Sequence, residues 1–447
     1  MSTDVHQPPG AEPPDATPGA SAEAQAAELA SHTAEIAAPD VIADSLGDYA
    51  RIWWTRVRGG ESGALPVIAG LIVIVVYFQA RNSLFLSATN LVNLLTQSAW
   101  IITLGLAEVF VLLLGEIDLS LGYSSAIGAT ITLWMLEPPH PLPWVLAVIC
   151  GLAFPAAYSA VQAVLITWLR LPSFVVTLAG LLGGEGLLLY MVNKAGPNSG
   201  GTIRLNSNVI SNIESGNMSP LAGWIVMAVA VVLGGAMMIV RDRRRRASNL
   251  AAPPPSVTML KVAAMAVAGV VVVLVGNTNR GRGLVVLQGV PWVVLLVLVV
   301  LIAWSTLLSR TRFGRYVYAI GGNAEAARRA GINLSRVRIL AFTLAGLTAG
   351  ITGLIYASYL DSVSNDVNGG ELVLYAVAAA VIGGASLFGG RGRMLGAVLG
   401  GLIVGVIYNG LYLLGLGAAA VSMWTAGVLL AAVAVDTLAR RNRRDNT

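Results

Sequence analysis

Apolar stretches separated by short polar breaks repeat along the chain from residue 64 onward. They fall at Ala64–Ala80, Ser98–Leu114, Leu119–Leu136, Trp144–Leu169, Ser173–Val192 and Pro220–Val240. Six more fall at Leu260–Gly276, Leu284–Leu308, Val337–Ser358, Leu372–Phe388, Met394–Leu414 and Ala418–Leu438. Most approach the roughly 20 residues that an α-helix needs to cross the hydrocarbon core of a bilayer. The second and third runs are shorter, as broken or re-entrant helices would be. No run alternates with the period-two rhythm of a membrane barrel. The pattern predicts an all-α, polytopic helical membrane protein of about 12 transmembrane helices, 10–12 if some are broken or re-entrant.

One polar break differs from the others. Tyr316–Asn333, YVYAIGGNAEAARRAGIN, is a small-residue turn followed by a helix that displays charge, set between apolar runs. A crossing needs only to be apolar, so this segment reads as a docking handle beside the membrane.

Charge places that handle. With the N-terminus inside and 12 crossings, the cytoplasmic segments collect Arg51, Arg56, Arg58, Arg170, Arg241, Arg243–Arg246 and Lys261. They also collect the arginines of Arg310–Arg338, then Arg391, Arg393 and Arg440–Arg444. The opposite side keeps only Arg81, Lys194, Arg204, Arg280 and Arg282. This asymmetry is what the positive-inside rule demands, and dropping one crossing would put an arginine cluster on the wrong side. Both termini are expected in the cytoplasm.

Composition agrees: 56% of the 447 residues are hydrophobic and 11% charged, against about 25% charged in soluble domains. Residues 1–50 depart from the rest. They are rich in Ala, Pro, Gly, Ser and acids and contain no Lys or Arg, so an acidic, disordered cytoplasmic tail is expected there, without signal-peptide character. Residues 51–447 form the expected transmembrane domain, with an Arg-rich cytoplasmic linker at 241–261 and the polar handle at 310–336. Cys150 lies in an apolar run and reads as a small buried hydrophobe.

Several function classes drop out. The two lysines, Lys194 and Lys261, follow no GxxxxG pattern, so the chain carries no phosphate-cradling P-loop. Of three histidines, His6 and His32 sit in the tail, and no clustered metal site is expected. Arg241–Arg246 and Arg440–Arg444 abut span ends, where topology and anionic lipid account for them; nucleic acid is not an expected partner. No catalytic residue or bound cofactor is expected, so uphill transport would draw its ATP from another subunit.

Polar residues inside or beside the spans are the candidate path. A carboxylate in hydrocarbon usually faces a cavity, a partner or water, which singles out Glu108, Glu116, Asp118 and Glu185. Gly115–Gly122, GEIDLSLG, sets Glu116, Asp118 and Ser120 between glycines. It is either a broken helix that offers backbone groups to a polar ligand or a tight cytoplasmic turn whose acids are wet. Asn93, Gln97, Gln162 and Asn409 are neutral amides, suited either to a hydroxyl-rich solute or to tying helices together. The polar loops Asn193–Ser219 and Asp361–Gly370 either connect spans or form a platform for an extracytoplasmic partner.

Five ordered segments resemble the permease subunits of bacterial ABC importers for monosaccharides, the ribose/xylose/galactose group. Gly115–Gly122 resembles the family's GGIDLSVG, and Leu171–Leu178, LPSFVVTL, its PPFIVTL. Phe313–Asn333 resembles GRxxYAIGGNxEAARLSGIN, and Ala378–Gly396 and Tyr408–Leu414 resemble the closing elements. The resemblance implies two permease copies around a path, two ATPase subunits beneath holding ATP and Mg, and an extracytoplasmic sugar-binding protein that delivers solute. Asn323–Ala330 would be the coupling helix in an ATPase groove. Glu325, Arg328 and Arg329 would form ion pairs there, and Gly321, Gly322 and Gly331 would allow the flanking turns. Glu116 replaces a glycine common in the family and, with the extra apolar pair beside the arginine linker, points to the xylose type. The family's acid before the tenth span is displaced here to Glu371, with Val373 in the expected place. A pentose leads as solute, ahead of another sugar or a polyol. An ABC permease for another solute, an ATP-independent facilitator and a structural membrane subunit are the alternatives.

Overall fold

The computed structural model describes residues 65–138, 141–195, 201–248, 252–281, 285–417 and 419–424, with a few isolated positions besides. Helices α1 (Leu65–Arg81), α2 (Ala88–Leu112), α3 (Leu121–Met135), α4 (Trp144–Trp168) and α5 (Ser173–Ala195) come first. Strand β1 (Thr202–Arg204) and the one-turn helix α6 (Asn208–Ser211) precede the hairpin α7 (Pro220–Ala247) and α8 (Pro255–Asn277). Then come α9 (Trp292–Arg310), the short α10 (Arg312–Gly322) and α11 (Ala324–Arg329), and the long α12 (Leu334–Leu360). Strand β2 (Ser362–Ser364), α13 (Gly369–Ile382) and α14 (Met394–Leu413) follow. Among the described residues eight helices are long and apolar enough to cross a membrane, and α1 and α13 are shorter apolar helices. Nearly all of the acidic tail and most of Ala418–Leu438 lie outside the described residues.

The second apolar run is not short. Helix α2 begins at Ala88 and runs 25 residues, because Ser87 caps it by accepting the Asn90 backbone N–H. Asn90, Asn93, Thr96 and Gln97 dilute the hydropathy of its first turns and hide that start from a hydrophobicity reading. The third run does form a short helix, α3, of 15 residues.

The described residues are mostly helical, but strictly all-α is corrected by one small ladder. β1 and β2 pair antiparallel, Thr202 with Ser364 and Arg204 with Ser362. Flanking backbone bonds from Leu205 to the Asp361 carbonyl and from Asn365 to the Gly201 carbonyl extend it. Ser211 donates to the Asp361 carboxylate at 2.9 Å, and Ser358 donates to the Ser211 carbonyl at 2.9 Å. The two polar loops singled out in the sequence therefore meet at one end of the bundle.

The core centres on α2, which packs against α12, α13 and α14, while α12 also crosses α4. Helix α1 lies on α14, where Phe78 stacks on Phe85 and Asn82 donates to the Leu413 carbonyl at 3.2 Å. The α7–α8 hairpin packs chiefly on itself. Its one buried charge, Asp242, pairs with Arg241 at 2.9 Å and accepts from Thr258 at 2.7 Å, which pins the two helices together.

Candidate coupling and translocation site

The polar handle is a helix–turn–helix laid across one end of the bundle. Thr311 ends α9 and caps α10, accepting from the Gly314 N–H. Asn323 then caps α11 by accepting from the Ala326 N–H at 2.9 Å, and Asn333 caps α12 by accepting from Arg336 at 3.0 Å. Gly331, at φ +79°, supplies the left-handed turn between α11 and α12. Gly314, Val317, Ile320 and Ala327 face inward and are buried.

Gly321 works differently from the expected turn-former. It sits inside α10 against the Leu113 carbonyl and the Gly390 amide, and a Cβ there would fall 1.8 Å from that carbonyl oxygen. The same Leu113 carbonyl accepts from Gly390 N–H at 2.9 Å, and the Tyr318 hydroxyl donates to the Gly392 carbonyl at 2.8 Å. Gly322 closes α10 facing open space. The handle thus bears directly on the end of α2 and on the loop before α14.

The outer face of α11 is charged. Glu325, Arg328 and Arg329 are exposed, and the Glu325 carboxylate accepts from Arg328 at 2.9 Å and from Arg329 at 3.2 Å. Hydrogen bonds from Arg328 and then Arg329 hold the Glu325 carboxyl below the usual glutamate range. The helix therefore presents a fixed acid and two bases at spacings of three and four residues, ready for charged partners.

Gly115–Gly122 lies beside this contact. It is a tight turn, as one reading of the sequence had it, but its acids are not wet. Glu116 is buried and ion-paired with Arg338 at 2.5 Å, which ties the turn to the first turns of α12. Glu108, on α2, and Asp118 are fully buried. The Asp118 N–H points to the Glu108 carboxylate at 3.4 Å, and Asp118 accepts from the Ser120 hydroxyl at 2.6 Å and amide at 2.9 Å. Ser159 donates to Asp118 at 3.4 Å, and Gln162 donates to the Ser120 hydroxyl at 2.8 Å. Hydroxyl and backbone donors take the place of water at Asp118, and a guanidinium does so at Glu116. One oxygen each of Glu108 and Glu116 has no hydrogen-bond donor among the described residues.

The amides form a second group, at the ladder end of α2. Asn409 on α14 and Asn90 on α2 exchange side-chain hydrogen bonds at 2.9 and 3.1 Å, and Asn409 also donates to Gln97 at 2.9 Å. Asn93 is exposed on α2 and stands outside this ladder. The sequence-selected path residues thus separate into a carboxyl cluster near the handle and an amide cluster near the strands. Asn90, Ser159 and Arg338 complete them and were not singled out, since each depends on a partner distant in sequence.

The family model described as branched-chain amino acid transport system / permease component matches residues 90–435. The chain belongs to this permease family. The xylose transport system permease protein of Escherichia coli is 33% identical over 397 residues, covering 86% of this chain and 95% of that protein. Its counterpart in Haemophilus influenzae is 33% identical, covering 83% of this chain and 95% of that protein. The ribose import permease protein of Bacillus subtilis is 30% identical, covering 84% and 94%. No solved structure matches significantly. With its apolar spans, the permease is a multi-pass integral membrane protein.

Proposed function

We propose that this permease is the membrane-spanning subunit of an ATP-driven sugar importer in the bacterial cytoplasmic membrane, with a pentose of the xylose type as its solute. The observation that carries the reading is the seat of α10–α11. One face is locked by Gly321 and Tyr318 onto the ends of α2 and of the loop before α14, while the other exposes Glu325, Arg328 and Arg329. A force applied to that outer face by a partner passes into α2 and α12, the central helices. Relatives named as xylose and ribose permeases supply the solute class.

In this reading a separate ATPase subunit holds ATP and Mg and receives α11 in a groove. Two permease copies enclose the path, both termini face the cytoplasm, and about 12 helices cross the membrane. An extracytoplasmic sugar-binding protein delivers solute at the end where β1 and β2 join the polar loops. Closure of the ATPases moves α10–α11, and the paired permeases rock between inward and outward access. Solute binding along the path is weak, because tight binding at the midplane would slow release; selectivity falls mainly to the binding protein.

Replacing Glu325, Arg328 and Arg329 together with alanine tests the assignment. ATP-driven uptake into reconstituted vesicles should fall at least about tenfold while the protein stays folded, since no buried contact is removed. Wild-type uptake by the triple variant would refute it.

A further inference from the structure

At the ladder end of α2, α12, α13 and α14, five aromatic side chains gather around the amide cluster. Trp100 is buried, with Tyr356, Tyr375 and Tyr408 edge-on around it at centroid distances of 5.2, 5.9 and 6.4 Å. Tyr412 packs on Tyr408 at 4.7 Å. Edge-to-face packing against a buried indole fixes ring orientation. Tyr375 donates to the Glu371 carboxylate at 2.7 Å, which orients an acid that the family pattern places differently.

The outer members of this group, joined by Tyr359 one turn along α12 from Tyr356, are not sealed. Tyr356, Tyr359 and Tyr408 are half-buried and Tyr412 is 45% exposed. Tyr412 stands one turn beyond Tyr408 on α14 with its ring against it, and the Tyr359 hydroxyl lies against the Gln97 side chain. Gln97 already accepts from Asn409 at 2.9 Å, so its amide orientation is set from behind.

Rigid ring faces flanked by phenol hydroxyls, an amide and an oriented carboxylate suit a solute with apolar C–H faces and many hydroxyls. The cluster contains no Lys or Arg, so the carboxylate of an amino acid would find no counter-charge in it. We propose that Tyr356, Tyr359, Tyr408 and Tyr412, with Gln97 and Glu371, form a low-affinity site for a neutral polyhydroxylated solute at the ladder end of the path. The proposal rests on the importer reading and adds the recognition surface within this chain.

The test is saturation-transfer NMR on the full transporter complex in lipid nanodiscs without the binding protein, with D-xylose at millimolar concentration and L-leucine as the contrast. The wild type should transfer saturation to xylose ring protons and not to leucine. Tyr408→Ala and the milder Tyr412→Phe and Gln97→Leu should weaken the xylose signal about threefold to tenfold, the range for loss of one ring contact or hydrogen bond. Tyr412→Phe changes a single exposed hydroxyl, so misfolding does not confuse its result.

Equal xylose signals in wild type and all three variants would overturn the site, as would a stronger signal from leucine. Variants that split a two-copy complex and leave the xylose signal intact would make the cluster a subunit interface instead. Failure of the importer reading shows separately, as absence of ATP-driven uptake by the wild type with its binding protein present; the xylose signal still decides the site.

Discussion

Helices α2 and α8 are both long enough to cross a bilayer, yet their surroundings are opposite. The apolar stretch of α2 is 83% buried within the protein, that of α8 only 11%, and α8 is the more apolar of the two. In water the greasier helix would be the inner one. In lipid, hydrocarbon is as good a neighbour for valine as another helix is, so apolar content does not draw a helix inward. Helix α2 is tied into the centre by Asn90 and Gln97, whose side chains meet Asn409 of α14 in bonds that lipid cannot offer. The side-chain ties of helix α8 run to its hairpin partner, Thr258 to Asp242 and Asn277 to the Pro220 carbonyl, and Met259, Leu260, Val267 and Val271 are left outward.

The largest expected effect comes from emptying the carboxyl cluster beside α2. Asp118→Ala removes the acceptor of Ser120 and the neighbour of Ser159 in a fully buried site. Each orphaned buried polar group costs about 1–3 kcal/mol, so the thermal unfolding midpoint should drop by several degrees with uptake largely lost. An unchanged midpoint would mean that water reaches the cluster.

Outside the membrane the same principle gives a pH dependence. Glu214, in the loop between α6 and α7, is buried, its two carboxylate oxygens lack hydrogen-bond donors, and burial pushes its pKa up to about 9. The neutral acid is the form the fold prefers. Its stabilising contribution is therefore complete below the unfolded value of about 4.3 and is lost as pH rises through about 9. Melting curves across that window should show stability declining with pH, and Glu214→Gln should flatten the decline. An unaltered slope would break the assignment.

The smallest effects compare α2 and α8 directly. Asn409→Leu breaks the amide ladder between α14 and α2 and should cost about 1 kcal/mol, the usual scale for an interhelical hydrogen bond in lipid. Val271→Leu, on the exposed side of α8, should stay within about 0.5 kcal/mol. Steric-trap or denaturant unfolding in bicelles reads both, and equal losses would contradict the contrast between the helices.

How much the sequence disclosed follows from the same physics. The α10–α11 handle was legible because charge and glycine interrupt an apolar pattern, and its caps, Asn323 and Asn333, act on amides three residues away. The long spans, eight of them among the described residues, were legible by length and hydropathy together. The start of α2 was not, since its amides look like a loop until Asn409, far along the chain, is brought to them. Whether Glu116 and Asp118 face a ligand or water stayed open in the sequence because their cover, Arg338 and Ser159, lies on other helices. The β1–β2 ladder escaped notice because three-residue strands carry almost no periodic signal. The aromatic cluster draws single rings from separate helices and becomes visible only in three dimensions.

If α11 couples transport to ATP, movement of sugar depends on a nucleotide-hydrolysing partner acting through that helix. The most direct measurement is uptake of labelled D-xylose by vesicles containing the complex purified in mild detergent from its native host, with ATP enclosed or omitted and the co-purifying proteins identified by mass spectrometry. The account predicts a stoichiometric P-loop ATPase and uptake only with ATP. Purification of this chain alone, still carrying xylose at the same rate without ATP, would contradict it and establish a facilitator.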